Sequence, residues 1–168
     1  MRYQLRLAAC FALLTAVVLF VMVLTAPYGY QHASNSLRQA SSFEVLSLSP
    51  EPSGAEQGDH FYRWPVLGST LVSSDSVRQS LMDALDAGVA ENKKQIAACF
   101  SPRHGIRAIV DGRRYELVIC FECLHAHWYI DGKQQRGFLL TSSPQPVFDQ
   151  VLIDSSVPLP KPLREIEP

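Results

Sequence analysis

Charge is scarce in this chain: Asp, Glu, Lys and Arg make up 18% of its 168 residues, and 16 acidic against 15 basic side chains leave a net charge of −1. An average soluble domain carries about a quarter of its residues as charged types. With no basic excess and no run of five or six like charges, there is no electrostatic footprint for a phosphate backbone, so nucleic acid is not an expected partner. Cysteine is sparse too. Four residues are too few for a disulfide-dense scaffold, so their positions matter more than their number. Phosphate-cradling glycine loops, the dinucleotide fingerprint, a paired-acid motif and the hydrolase nucleophile elbow are all missing. Those absences point away from an enzyme and toward a binding or interaction module, with no catalytic residue assigned. Repeats at solenoid or propeller periods are missing as well, and the length suits one ordinary domain plus an appendage.

Long apolar runs are confined to the start. Residues 7–26, LAACFALLTAVVLFVMVLTA, hold no charge, and a run of that length at ~1.5 Å rise per residue covers the ~30 Å hydrocarbon core as one helix. Arg2 and Arg6 precede it, whereas the next Lys or Arg is Arg38. The positive-inside rule then places residues 1–6 in the cytoplasm and the rest beyond the membrane, in a bacterial periplasm or exterior or in a eukaryotic secretory lumen. A cleaved signal peptide is the competing reading. Its apolar region would span only ~7–15 residues and end in a small-x-small site, which Leu24-Thr25-Ala26 before Pro27 fits badly. The string Leu7-Ala8-Ala9-Cys10 imitates a lipoprotein cleavage box, but the hydrophobic segment lies on its wrong side, so Cys10 reads as an ordinary residue of the membrane helix. A single-pass anchor is expected, with the membrane as one partner and an envelope protein as a candidate second.

Residues 27–58 are rich in Ser, Gln, Pro and Gly, and apart from the patch Phe43-Glu44-Val45-Leu46 they show little apolar period, which predicts a flexible tether. The folded domain is expected over 59–157, followed by a proline-spaced tail over 158–168. Within the domain, 65–72 reads as a strand. Ser74 or Asp75 offers a helix N-cap before Val77, Leu81, Leu85 and Val89, which recur every four residues, with fraying expected at Gly88. Asp111-Gly112 and Asp131-Gly132 are strong hairpin signals. They predict a meander with strands at 106–110, 115–130 and 137–141. Ser143 is expected to cap a last helix from Pro144 that carries Val147, Phe148, Val151 and Leu152. The predicted fold is α+β: a small antiparallel sheet of three to four strands with helices on one face, preceded by an N-terminal transmembrane helix.

The chemistry-bearing stretch is Cys99-Phe-Ser-Pro-Arg-His104, then Cys120-Phe-Glu-Cys123, then His125 and His127. A two-residue turn at Asp111-Gly112 pairs residues whose numbers sum to 223, which brings Cys99 and His104 to the same end of one hairpin as Cys120 and Cys123, provided pairing survives Pro102. The apolar phase runs odd through Leu117, Ile119 and Phe121 and even through Leu124, Ala126, Trp128 and Ile130, a slip that predicts a β-bulge near Glu122-Cys123. Cys99, His104, Cys120 and Cys123 therefore form a candidate structural metal site, with zinc as the cofactor its ligand types suit. A disulfide of Cys99 with Cys120 or Cys123, leaving one free thiol, fits an oxidising compartment equally well. Two catalytic readings stand beside these. One is an envelope thiol–disulfide oxidoreductase using Cys120-x-x-Cys123, weakened because the pair does not open a helix. The other is a Cys99–His104 nucleophile oriented by Glu122, for which no oxyanion loop is visible. Buried inert thiols remain the plain alternative. Arg103 is expected to organise its loop, Phe100 and Phe121 to be core, and His60, Phe61, Tyr62 and Trp64 to pack over the core edge or form a ligand platform.

The two cysteine blocks, CFSPRHGIR and LVICFEC, resemble a motif of a family of small bacterial envelope proteins of unknown function, many with an N-terminal hydrophobic or secretion segment. The resemblance covers about residues 67–153 and is most specific in the cysteine blocks; the His125-x-His127 pair is not typical of the group. It implies a bacterial envelope location and carries over no activity, cofactor or catalytic residue.

Overall fold

Both Asp-Gly pairs make tight turns because each presents two successive residues in the left-handed region: Asp111 and Gly112 at φ 50° and 75°, Asp131 and Gly132 at 50° and 76°. The computed structural model describes residues 29–51 and 58–160. In chain order the elements are α1 (Tyr30–Arg38), β1 (Ser42–Leu48), β2 (His60–Phe61), β3 (Trp64–Leu71), α2 (Asp75–Glu91), β4 (His104–Val110), β5 (Arg113–Cys120), β6 (His125–Ile130), β7 (Lys133–Gln134), β8 (Phe138–Leu139) and α3 (Gln145–Asp154). The sheet runs β2-β3-β1-β4-β5-β6-β7, with β8 also paired to β6, and all its ladders are antiparallel. The class is α+β as expected, but the sheet has eight strands rather than three or four.

Most of the extra strands come from segments whose pattern was too short or too uniform to read. Residues 27–58 are not a tether throughout: α1 and β1 lie inside them, and β1 sits between β3 and β4 near the middle of the sheet. Phe43, Val45, Leu46, Ser47 and Leu48 are all buried, because β1 is covered on both faces. A strand buried on both faces shows no alternation, and its few apolar residues pass for an isolated patch. The folded domain consequently begins near Tyr30 rather than at 59. At the other end, residues 158–160 are not yet tail: the Ser47 hydroxyl donates to the Pro158 carbonyl at 2.6 Å, and Gly68 leaves room for Val157 and Pro158 against the sheet. The expected cytoplasmic residues 1–6, membrane helix 7–26 and remaining tail lie outside the described residues. Among the described residues no helix is long and apolar enough to cross a membrane.

The two faces of the sheet do different work. Phe43, Val45, Ile106, Ala108, Leu117, Ile119, Ala126 and Trp128 form one face and pack against all three helices through Leu37, Leu81, Met82, Leu85, Phe148 and Leu152. Ser74 caps α2, its hydroxyl accepting from the Val77 N–H, as expected. Ser143 does not cap α3; its hydroxyl donates to Glu91 at 2.9 Å, and Pro144 holds the N-cap position. Gly88 does not fray the helix. It is buried where α2 meets the start of α3, so close that a Cβ there would lie 2.6 Å from the Pro144 ring. The opposite face carries a smaller core of Leu46, Leu48, Phe61, Trp64 and Val118, formed where β2 and β3 curl over the sheet.

Candidate functional site

The predicted long strand 115–130 is two strands, β5 and β6, joined by a turn at 121–124. Their register pairs Cys120 with His125 and Leu117 with Trp128, so odd residues on β5 oppose even ones on β6. The odd-to-even slip of the apolar residues therefore records a chain reversal and not a bulge, since residues directly opposite in an antiparallel pair share a face. Leu124 closes the turn at φ 61°, and its N–H donates to the Phe121 carbonyl at 3.3 Å. The reversal brings Cys120 and Cys123 to a Cα separation of 5.0 Å, and they form a disulfide. Both are almost wholly buried. This differs from the expected pairing, in which Cys99 was one member: Cys99 is instead the exposed free thiol.

Cys99 nevertheless reaches the pair, its Sγ lying 3.5 Å from Cys123 Sγ. It is carried by the loop between α2 and β4, which Pro102 keeps out of the ladder. That loop is held by backbone bonds instead: Ala97 N–H to Cys123 O at 3.1 Å and Arg103 N–H to Ile119 O at 3.3 Å. Asn92 fixes its start, donating from its side-chain amide to Gln95 O and Leu140 O. Two N–H groups point at the sulfurs, Ser101 N–H at Cys123 Sγ (3.2 Å) and Cys123 N–H at Cys120 Sγ (3.1 Å). The hairpin register is the one expected, with His104 opposite Ile119 and Val110 opposite Arg113.

That same register separates His104 from the cysteines. Being opposite Ile119, its side chain shares the helix-covered face, whereas Cys120, one residue further, turns to the other. His104 is buried there between Phe121 and Phe148, with Nε2 2.8 Å from an Asp149 carboxylate oxygen on α3. The four expected metal ligands are therefore not assembled as a set: the three cysteines meet, His104 stands on the far face, and two of the sulfurs are bonded to each other. Among the described residues no group of three His, Cys, Asp or Glu side chains is placed to hold a metal ion. The Cys99–His104–Glu122 arrangement is divided in the same way.

On the cysteine side of the sheet the neighbours are aromatic. Phe100 stacks on His127 with ring centroids 4.1 Å apart, tilts against His125 at 4.6 Å and meets Trp64 edge to face at 5.4 Å. It is thus half-buried in the smaller core and not part of the main one. Tyr62 stacks on Tyr129 at 3.9 Å, and its hydroxyl donates to Glu116 at 2.8 Å. Glu116, almost fully buried, also takes Arg107 and Arg114. Burial, and after it the charge of neighbouring His125, hold the His127 imidazole below its usual pKa, so its neutral form is favoured. These side chains border a cleft of about 660 Å³ lined by Tyr62, Arg63, Trp64, Phe100, His127, Tyr129 and Gln134. The Arg63 guanidinium lies over the Trp64 ring at 5.0 Å. Of this lining the sequence pointed to Tyr62 and Trp64 as a possible platform. His127 and Tyr129 join it through the reversal at 121–124, which the apolar phase marks without distinguishing it from a bulge, and Phe100 through the loop before β4. Neither family models, nor curated proteins, nor solved structures provide a match to this chain.

Proposed function

We propose that the chain is a membrane-anchored, extracytoplasmic binding module that receives an extended, proline- or aromatic-bearing peptide segment of an envelope protein in the cleft between Tyr62, Trp64, Phe100 and Tyr129. The single observation that carries this reading is the cleft itself: four aromatic side chains converge on the sheet face that the helices leave uncovered, with Arg63, His127 and Gln134 among them. Aromatic-lined grooves recognise extended peptides because flat rings pack against proline and aromatic side chains while a few polar groups fix the direction of the backbone. The apolar segment 7–26 supports the anchor, and a disulfide beside the cleft suits an oxidising compartment. In this reading Cys120–Cys123 is the structural element that secures the turn from which His127 and Tyr129 follow.

The test is binding to a library of short proline-containing peptides, scored on the full chain and on Tyr129→Ala. Removing one of the two stacked rings should weaken the best binders by tenfold or more, equivalent to about 1.4 kcal/mol, while leaving the thermal unfolding midpoint within a few degrees. Absence of any binder, or equal binding by Tyr129→Ala, would sink the proposal.

A further inference from the structure

We infer that Cys99, Cys120 and Cys123 form a thiol–disulfide exchange centre, in which a buried bond between Cys120 and Cys123 is passed to Cys99 and so delivered to the protein surface. This goes beyond peptide binding and does not depend on it. A structural staple needs two sulfurs, and here a third lies in contact with the bonded pair: Cys99 Sγ is 3.5 Å from Cys123 Sγ. Burial divides the roles. Cys120 and Cys123 are 1% and 0% exposed, out of reach of an external thiol, whereas Cys99 is exposed. Exchange with the outside must therefore pass through Cys99.

The step balances within the chain. Cys99 loses its proton to water, and its thiolate attacks Cys123 Sγ. A Cys99–Cys123 bond forms, the Cys120–Cys123 bond breaks, and the electron pair leaves on Cys120 Sγ, which is then protonated from water. No net oxidation occurs. The departing thiolate is not stranded, because the Cys123 N–H already points at Cys120 Sγ from 3.1 Å, and N–H donors stabilise sulfur anions. In the second step an external thiolate attacks the accessible Cys99 sulfur, forming a mixed disulfide and returning the electron pair to Cys123 Sγ, toward which the Ser101 N–H points from 3.2 Å. Each of the two leaving sulfurs thus has its own backbone donor. The exchange also touches the cleft, since Phe100, the next residue after Cys99, is one of its walls.

The full chain is equilibrated in a buffer of reduced and oxidised glutathione, quenched with acid, unfolded in guanidinium chloride so that buried thiols are open to label, alkylated with a maleimide, and mapped by mass spectrometry without reduction. Maleimide found on Cys120 as well as on Cys99, and glutathione attached at Cys99, are the expected results. In Cys120→Ser the free thiol is lost, because Cys99 and Cys123 bond to each other. In Cys123→Ser, where the central sulfur is gone, both remaining thiols stay open to the label. The wild type alone decides against the inference: maleimide confined to Cys99, with Cys120–Cys123 intact throughout, overturns it whatever the variants do.

Discussion

Asp86 on α2 accepts hydrogen bonds from the Tyr30 hydroxyl at 2.6 Å, the Ser34 hydroxyl at 2.8 Å and the Arg38 guanidinium at 2.7 Å, and these three donors fasten α1 to the body. Burial by itself would raise the carboxyl's pKa, but the hydrogen bonds outweigh it and hold Asp86 below the usual carboxylate range. His127 is displaced downward as well, by burial first and His125 second. For both groups the folded pKa is below the unfolded one. The stability each contributes is therefore present above its unfolded pKa and is lost as pH falls toward its folded one. Chemical denaturation across pH should show a decline that begins below about pH 6.5, from His127, and a second below about pH 4, from Asp86. His127→Gln should remove the first. Asp86→Asn should cost roughly 2 kcal/mol at neutral pH, as expected when hydrogen bonds to a charged group are weakened, and should flatten the second.

Among the elements, the meeting of α2 and α3 is the tightest point that one substitution can probe. In an exposed helix Gly→Ala stabilises by about 1 kcal/mol through backbone entropy. At Gly88 the added methyl would lie 2.6 Å from Cγ and 3.0 Å from Cδ of Pro144, a ring that cannot swing away, and Thr141 N–H donates to the Gly88 carbonyl at 2.9 Å. Overpacking of this kind costs about 1–3 kcal/mol, so the balance should be a lower unfolding midpoint for Gly88→Ala, where propensity alone predicts a higher one. The same element pairs show what was legible. Asp-Gly turns announce themselves chemically, so the β4–β5 register follows from residue numbers alone. The turn at 121–124 has no glycine or proline, and Leu124 adopts φ 61° without being a residue type that favours it, so only the apolar phase betrayed the reversal, and a bulge produces the same phase. The face His104 takes was legible, since the register set by Asp111-Gly112 puts it opposite Ile119 and away from Cys120, but its partner Asp149, 45 positions away on α3, is a proximity that local spacing does not encode.

For the whole molecule, the position of β1 governs where the domain may be cut. β1 pairs with β3 on one side and β4 on the other, so it joins the β2–β3 edge to the rest of the sheet. Its removal would open both ladders and take Phe43, Val45, Leu46 and Leu48 out of the two cores, leaving partners such as Ile106 and Val118 uncovered. A chain starting at Asp59 should lack the cooperative unfolding transition and the wide amide dispersion that one starting at Gly29 retains, as read by circular dichroism and proton NMR. Cooperative unfolding of the shorter chain would show β1 to be an accessory strand.

The placement of β1 also sets the order of assembly. Its ladder with β4 joins residues as far apart in the chain as Ser42 and Ile109, whereas β4, β5 and β6 are linked by short turns and can close locally. Contacts this distant are slow to form because loop closure precedes any reward. During synthesis the first-made strand must wait, unpaired with β4, until β2, β3, α2 and then β4 itself have emerged. In the extracytoplasmic placement proposed above, the chain has to stay unfolded until it has crossed the membrane, and late closure of the sheet's centre would leave it threadable for longest.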